Sequence, residues 1–315
     1  MARQKNSDLC KAKSDKDGEF FTDFAVIEQE MAHYFLYFNG KTVLCNCNDS
    51  EESNFWRYFH VNFKCLGLHR LLATTYSLSG ESAYVLDYMG GSDLDSKACT
   101  KTELQGNGDF RSGECLELLK QADIVVTSPS FSLFQEYISV LMANHKKFII
   151  LGNQNSLTYK RIFPLIQSNQ LWYGASIHSG DRKFYVPDDY PLKAMICGRD
   201  DTGRKYIRVK GVRWFTNLDV VCRHEPFFDP ESVHAQYAGH ESSYPKYDNY
   251  DAIHVNKTKD VPEDYFGVMG VPISFFDKYN PDEFEIVGTL NQPVLFGWFD
   301  KYKRLLVKRK TKKER

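Results

Sequence analysis

The sequence predicts an α/β fold with a mostly parallel sheet, on two observations: apolar strands alternate with amphipathic helices, and the strands end in small or polar residues. Apolar residues make up 42% of the 315 and aromatics 15%, enough for a large packed interior and unlike a disordered chain. The length exceeds one ordinary core, so the expectation is a large domain with an appended module, or two domains.

The elements follow in order. Residues 1–18 are polar and lack apolar periodicity, which predicts a flexible arm. Val26, Ile27, Met31, Tyr34, Phe35 and Phe38 recur at intervals of three and four, predicting a helix over 26–38. After a turn at Asn39-Gly40, residues 42–45 form a buried strand. Residues 53–66 then read as a helix, with Ser53 as N-cap and Phe55, Phe59 and Phe63 on one face. A second strand spans 69–75.

Order resumes with a helix over 114–122, a strand over 123–127, a helix over 132–144 and a strand over 147–151 closed by a turn at Gly152. Parallel strands joined by helical crossovers place their ligand chemistry at the carboxyl edge, here residues 45–50, 75–76, 127–131 and 152–155. Beyond residue 170 only short strands are visible, over 193–197, 212–216 and 284–287. Residues 226–283, rich in Pro, Tyr and Asp, read as ordered loops held by aromatic anchors more than as a second compact core.

The formal charge of −1 hides an asymmetry: Lys and Arg crowd residues 301–315 to about +8, leaving about −9 elsewhere. That stretch suits phosphate contact or serves only as a solubilising tail. The eight scattered Cys, with no hydrophobic signal segment before them, predict reduced thiols and a cytoplasmic location. No run approaches the roughly twenty apolar residues of a membrane span. Cys45-Asn46-Cys47 lacks a second ligand pair at zinc-site spacing, so no metal is expected. His224 beside Glu225 reads as a surface pair, since no nucleophile spacing supports a hydrolase.

The most informative segment runs from Asp123 to Phe134, where an apolar strand enters the turn Ser128-Pro129-Ser130-Phe131. It resembles the catalytic loop of amino-methyltransferases: Asp, Asn or Ser, then two Pro, then an aromatic. Similarity to EcoRI-type adenine-specific DNA methyltransferases extends over nearly the whole chain. It is carried by Gly18-Glu19-Phe20-Phe21-Thr22, residues 43–49, Gly106-Asn107-Gly108-Asp109-Phe110-Arg111-Ser112, Gly152-Asn153-Gln154-Asn155, residues 214–219, 244–251 and 267–272.

The resemblance implies a class I methyltransferase sheet with a terminal antiparallel strand, S-adenosylmethionine as cofactor, and methyl transfer to the exocyclic amine of an adenine in duplex DNA. Ser128 and the carbonyl after it would accept from the amine, Pro129 and Ser130 would shape the loop, and Phe131 would stack on the flipped base. Phe20, Phe21, Thr22, Asn46, Cys47 and Asn48 would hold the cofactor, with Asp109 and Phe110 flanking its adenine. On spacing alone, Asp109 equally reads as a helix cap.

Residues after 200 would carry recognition, with Lys205, Arg208, Lys210, Arg213, Arg223 and Lys246 as candidate DNA contacts near aromatics. The implied organisation is an arm over 1–18, a catalytic domain over 19–220, a loop-rich target-recognition region over 221–300, and a final strand with a basic tail over 301–315. A companion restriction endonuclease is the implied partner.

The chain departs from the usual methyltransferase pattern in three places. The cofactor turn carries Asn46, Asn48 and Asp49 in place of a Gly-rich loop, as EcoRI-type members do. The strand over 71–75 is followed by no acidic residue for the cofactor ribose. The catalytic loop has Ser128 where Asn is usual, shortening the reach to the amine, and Ser130 where Pro is usual, freeing the backbone. These last changes leave open an inactive relative that binds DNA or cofactor, or an enzyme with a changed target base or transferred group.

Overall fold

In the computed structural model, the described residues are 21–46, 53–77, 82–91, 99–186, 197–228 and 244–311. The expected cofactor residues Phe20, Cys47 and Asn48, and most of the strand expected over 193–197, lie outside them. The described residues form two compact units, one of those within 1–153 and 176–218 and one of those within 154–175 and 219–315.

In the first unit a short strand β1 (Phe21–Thr22) precedes α1 (Phe24–Met31), which is capped by Asp23 accepting from the Ala25 amide at 2.9 Å. The helix expected over 26–38 continues past Met31 as a 3-10 segment, keeping Ile27, Met31, Tyr34 and Phe38 fully buried. Strand β2 (Thr42–Asn46) leads toward α2 (Asn54–Val61), and Ser53 caps α2 as expected, its Oγ accepting from the Phe55 amide at 3.2 Å.

The central sheet then gains β3 (Arg70–Thr74), β4 (Tyr84–Tyr88), β5 (Cys99–Glu103), β6 (Ile124–Thr127) and β7 (Lys147–Asn153). Helix α3 (Gly113–Gln121) precedes β6, and α4 (Phe134–Ala143) links β6 to β7. A last strand, β12 (Val212–Thr216), completes the order β5-β4-β3-β2-β6-β7-β12 within this unit.

The middle strands β3, β2, β6 and β7 are parallel, which is the predicted α/β architecture. Antiparallel pairing is wider than one terminal strand: β12 pairs with β7, and β4 and β5 extend the opposite flank as a meander from β3. The parallel strands read as unbroken apolar runs because both faces are covered; all four residues of β6 are buried. Gly152 is not a turn but lies within β7, where an added Cβ would stand 2.4 Å from the fully buried ring of Phe134. A second sheet in this unit has the order β1-β9-β11-β10, with β9 (Asp181–Tyr185), β10 (Cys197–Arg199) and β11 (Lys205–Lys210).

The second unit overturns the expectation of loops without a compact core. It holds α5 (Phe163–Gln167), β8 (Trp172–Tyr173) and a four-stranded sheet in the order β13-β14-β18-β15. These strands are β13 (Ile253–His254), β14 (Val268–Pro272), β15 (Phe284–Thr289) and β18 (Arg304–Arg309). Met269, Val271, Phe275, Phe284, Leu305 and Val307 are fully buried, and the Phe275 and Phe284 rings meet edge-on at 5.2 Å.

The basic terminus is therefore partly interior. β18 is a middle strand, Arg304 is buried on Asp300 at 2.6 Å, and Arg309 packs its guanidinium 4.6 Å from the Phe228 ring centre.

Candidate active site

Because β2, β3, β6 and β7 run parallel, their last residues Asn46, Thr74, Thr127 and Asn153 share one sheet edge. Asn46 is fixed there from three sides. Its Nδ2 donates to Thr74 Oγ1 at 2.8 Å, its Oδ1 accepts from the Tyr137 hydroxyl, and its carbonyl accepts from Thr127 Oγ1. Tyr137, on α4, also meets Phe110 edge-on at 4.9 Å. Asn46, Phe110 and Tyr137 line one small cleft with Leu44 and Leu141.

Two of the expected cofactor residues, Asn46 at the end of β2 and Phe110 on a separate loop, are thus brought together. Tyr137 escaped the sequence reading because its position fits an ordinary buried face of a helix.

Phe110 is presented by a loop that packs on the end of β3. Gly108 has φ +77°, and an added Cβ would stand 1.8 Å from the Thr75 carbonyl oxygen, a closeness only Gly permits. The Ser77 amide donates to the Asn107 carbonyl at 2.9 Å, joining this loop to the chain leaving β3. The Ser77 and Thr22 hydroxyl oxygens are buried without a hydrogen-bond partner among the described residues. Of Phe21, the backbone pairs with Tyr185 in β1.

Asp109 is not the helix cap, because Ser112 Oγ takes that role toward the Cys115 amide at 3.2 Å. Its carboxylate accepts from the Arg111 amide and Nε through Oδ1, at 2.9 and 2.8 Å, and from Nη2 through Oδ2 at 2.5 Å. Hydrogen bonding to Arg111 holds the Asp109 carboxyl below its usual range. Arg111 also reaches Glu136 at 3.2 Å.

The loop Ser128–Phe131 leaves β6 immediately after the Thr127–Asn46 bond, so Ser128 starts from a fixed point beside the cleft. Ser128, Pro129 and Phe131 are half-buried and Ser130 is exposed. The backbone freedom expected of Ser130 is taken up locally. Its Oγ lies 2.8 Å from Ser132 Oγ, and its carbonyl accepts from the Leu133 amide at 3.0 Å, closing a turn into α4.

The candidate DNA contacts separate. On β11, Tyr206, Arg208 and Lys210 face one side and pair with Tyr185, Lys183 and Asp181 of β9. Lys183 and Arg208 stand 4.6 and 5.9 Å from the Tyr206 ring centre, and Arg204 stands 4.1 Å from that of Tyr185. Cations interleaved with aromatic faces are the composition of a nucleic-acid surface. Lys183, Arg204, Tyr185 and Tyr206 were missed in the sequence, since neither strand alone shows the cross-strand pairing. Lys205 alternates to the other face with Ile207 and Val209.

Arg213 leaves the set of candidates: it is 3% exposed, and its guanidinium donates to the Val212 and His178 carbonyls at 2.8 and 2.9 Å. In the second unit Lys246 is exposed, whereas the Arg223 side chain is only 8% exposed, over the Trp172 ring at 3.8 Å and on Asp219 at 3.0 Å. Arg223 is therefore corrected to an internal packing residue.

His224 pairs not with Glu225 but with Asp282 at 2.6 Å and Asp219 at 3.0 Å. The Asp282 hydrogen bond, aided by Asp219 and opposed by burial, raises the imidazole above its ordinary value. A raised folded-state pKa stabilises fully below the ordinary histidine value of about 6.5 and is lost as pH rises through the folded value. Thermal stability is therefore expected to fall over that window. In a His224→Gln variant that part of the pH dependence should vanish, by a modest amount given the exposed ring.

Among the described residues no cluster of His, Cys, Asp or Glu could hold a metal, and no helix is long and apolar enough to cross a membrane. The family described as "Adenine-specific methyltransferase EcoRI" matches residues 8–315. The chain is 43% identical to Type II methyltransferase M.EcoRI of Escherichia coli, covering 98% of this chain and 99% of that protein. It is 41% identical to Type II methyltransferase M.MpnI of Mycoplasma pneumoniae and 40% to M.MgeORF184P of Mycoplasma genitalium, in each case over 90% of this chain and 86% of the relative. No solved structure matches the chain.

Proposed function

Because the chain belongs to the EcoRI family of adenine-specific methyltransferases, we propose that it transfers a methyl group to the exocyclic amine of an adenine at specific sites in duplex DNA. The observation that carries this reading is the meeting of Asn46 and Phe110 in one cleft, at the sheet edge from which Ser128–Phe131 departs. S-adenosylmethionine, when bound, supplies a methyl group activated by its sulfonium charge.

The residues present fit that cofactor. Phe110 offers an aromatic edge or face for its adenine, and the Thr22 and Ser77 hydroxyls, which have no hydrogen-bond partner among the described residues, suit a polyhydroxylated ligand. Ser77 follows the strand after which the sequence offers no acidic residue for the ribose. Asp109 becomes available to the adenine amine only as its hold on Arg111 is shared or exchanged.

An exocyclic amine is a weak nucleophile because its lone pair is delocalised into the ring. Ser128 Oγ and the Pro129 carbonyl accept from the amine and draw it toward a tetrahedral geometry, and Phe131 stacks on the flipped base. The nitrogen becomes acidic as the methyl arrives, so water takes the proton and no strong base is needed. The face bearing Lys183, Arg208 and Lys210 contacts the duplex backbone, while the second unit carries target recognition.

Incubation with methyl-labelled cofactor and mixed-sequence duplex should label the DNA at adenine N6, read by nucleoside digestion and mass spectrometry. Binding of DNA without transfer would sink the enzymatic reading in favour of a silent relative. Label on cytosine would replace adenine as the target.

A further inference from the structure

Four of the most exposed large apolar side chains of the described residues fall within seven positions of the second unit: Phe296 72%, Trp298 79%, Phe299 69% and Tyr302 75% exposed. Phe296 and Gly297 form the tip of a hairpin of β16 (Val294–Leu295) and β17 (Trp298–Phe299), with Leu295 opposite Trp298. Both tip residues have positive φ, +54° at Phe296 and +75° at Gly297. A two-residue turn of that kind favours Asn-Gly, and a bulky Phe in the left-handed region is an outlier that something other than the turn must justify.

The hairpin is also held rigid. The Gly297 amide at its tip donates to Asp248 Oδ2 at 2.8 Å, the Asp248 amide donates to the Val294 carbonyl at 2.8 Å, and the Val294 amide donates to Asn249 Oδ1 at 2.8 Å. Three exposed aromatics, Phe296, Trp298 and Phe299, are thus presented on a clamped arm, with little ordering left to be done on binding, and Tyr302 follows shortly after it.

Charge indicates what meets them. Lys301 and Lys303 are exposed between and beside the aromatics, while Asp300 is turned inward onto Arg304 at 2.6 Å. Lys303 Nζ lies 2.7 Å from Thr158 Oγ1 and 5.7 Å from the Tyr159 ring centre, and the exposed Lys160 and Arg161 follow directly. Protein–protein interfaces are depleted in Lys, whereas aromatics interleaved with cations suit nucleic acid.

We propose that the β16–β17 hairpin is a DNA-contacting arm of this chain, which rests on the reading of the chain as a DNA methyltransferase. Phe296 and Trp298 stack on or between bases of the opened duplex, and Lys301 and Lys303 take neighbouring phosphates.

The test uses the full chain and a labelled mixed-sequence duplex, with Phe296→Asn and Trp298→Ala compared with the natural protein by fluorescence anisotropy. Each variant is expected to bind about tenfold or more weakly. S-adenosylmethionine affinity should be unchanged. Phe296→Asn should melt at the same or a higher temperature, because Asn tolerates the left-handed backbone.

Equal DNA affinity in natural protein and variants overturns this inference alone. A natural protein that binds no duplex overturns the proposed function and the inference together. A sedimentation dimer that both variants dissociate, with DNA affinity unchanged, makes the hairpin a contact between copies of this chain and overturns the inference too.

Discussion

Replacing Ser128 with alanine is expected to slow methyl transfer to duplex DNA about a hundredfold, the typical effect of removing one preorganised hydrogen-bonding group from the reacting centre. Binding of S-adenosylmethionine and of DNA should be retained, since Ser128 supports no element: it follows β6, whose last residue is independently tied to Asn46. Single-turnover rates with labelled cofactor, together with equilibrium binding of each ligand, separate the two effects. A loss in binding matching the loss in rate would mean that Ser128 shapes the loop and does not touch the amine. Unchanged turnover would remove it from the mechanism.

The neighbouring position makes the complementary point. Ser130→Pro should change turnover little, because the Ser132 hydroxyl and the Leu133 amide already hold the turn that a proline would otherwise stiffen. Ser128→Asn, by contrast, restores the longer acceptor and should raise the rate. The two departures from the family loop are unequal: one shortens an acceptor at the reacting centre, and the other exchanges one means of fixing a turn for another.

What was legible in the sequence follows the same physics. The strands β2, β3, β6 and β7 were readable because a strand covered on both faces must be an uninterrupted apolar run, and Ser53 was readable as a cap because its hydroxyl has one local donor to satisfy. Gly152 misled because glycine marks a turn and a tight packing site alike, and only the Phe134 ring against β7 decides between them.

The second unit was hidden because its strands carry weak or misleading signals: β13 has two residues, β14 contains Gly270 and ends in Pro272, and β18 runs through Arg304, Lys308 and Arg309 of the basic terminus. Arg213 reads in the sequence as a candidate DNA contact, yet its neighbours Val212, Trp214 and Phe215 are the available signal of a strand buried on both faces. The cross-strand partners Lys183 and Tyr206 had no such signal.

Gly108 tests whether the loop carrying Phe110 is truly the cofactor's support. A Gly108→Ala variant meets two independent penalties: a positive φ that alanine adopts unfavourably, and a Cβ placed 1.8 Å from the Thr75 carbonyl oxygen. The obstacle is backbone within a chain segment already bonded to Tyr84, so it cannot swing aside as a side chain would. The loop must therefore lift off β3, at a cost of about 2–4 kcal/mol and a fall in melting temperature of roughly 10 °C.

Lifting separates Asn107 from the Ser77 amide and withdraws Phe110 from Tyr137, so S-adenosylmethionine affinity should fall well beyond what the stability loss alone would cause in the folded fraction. Gly106→Ala is the control, because an added Cβ there meets nothing within 4 Å. Calorimetric titration of the cofactor at a temperature where both variants are folded discriminates the outcomes. If Gly108→Ala melts early yet binds S-adenosylmethionine as Gly106→Ala does, the loop is structural and the cofactor must be held elsewhere.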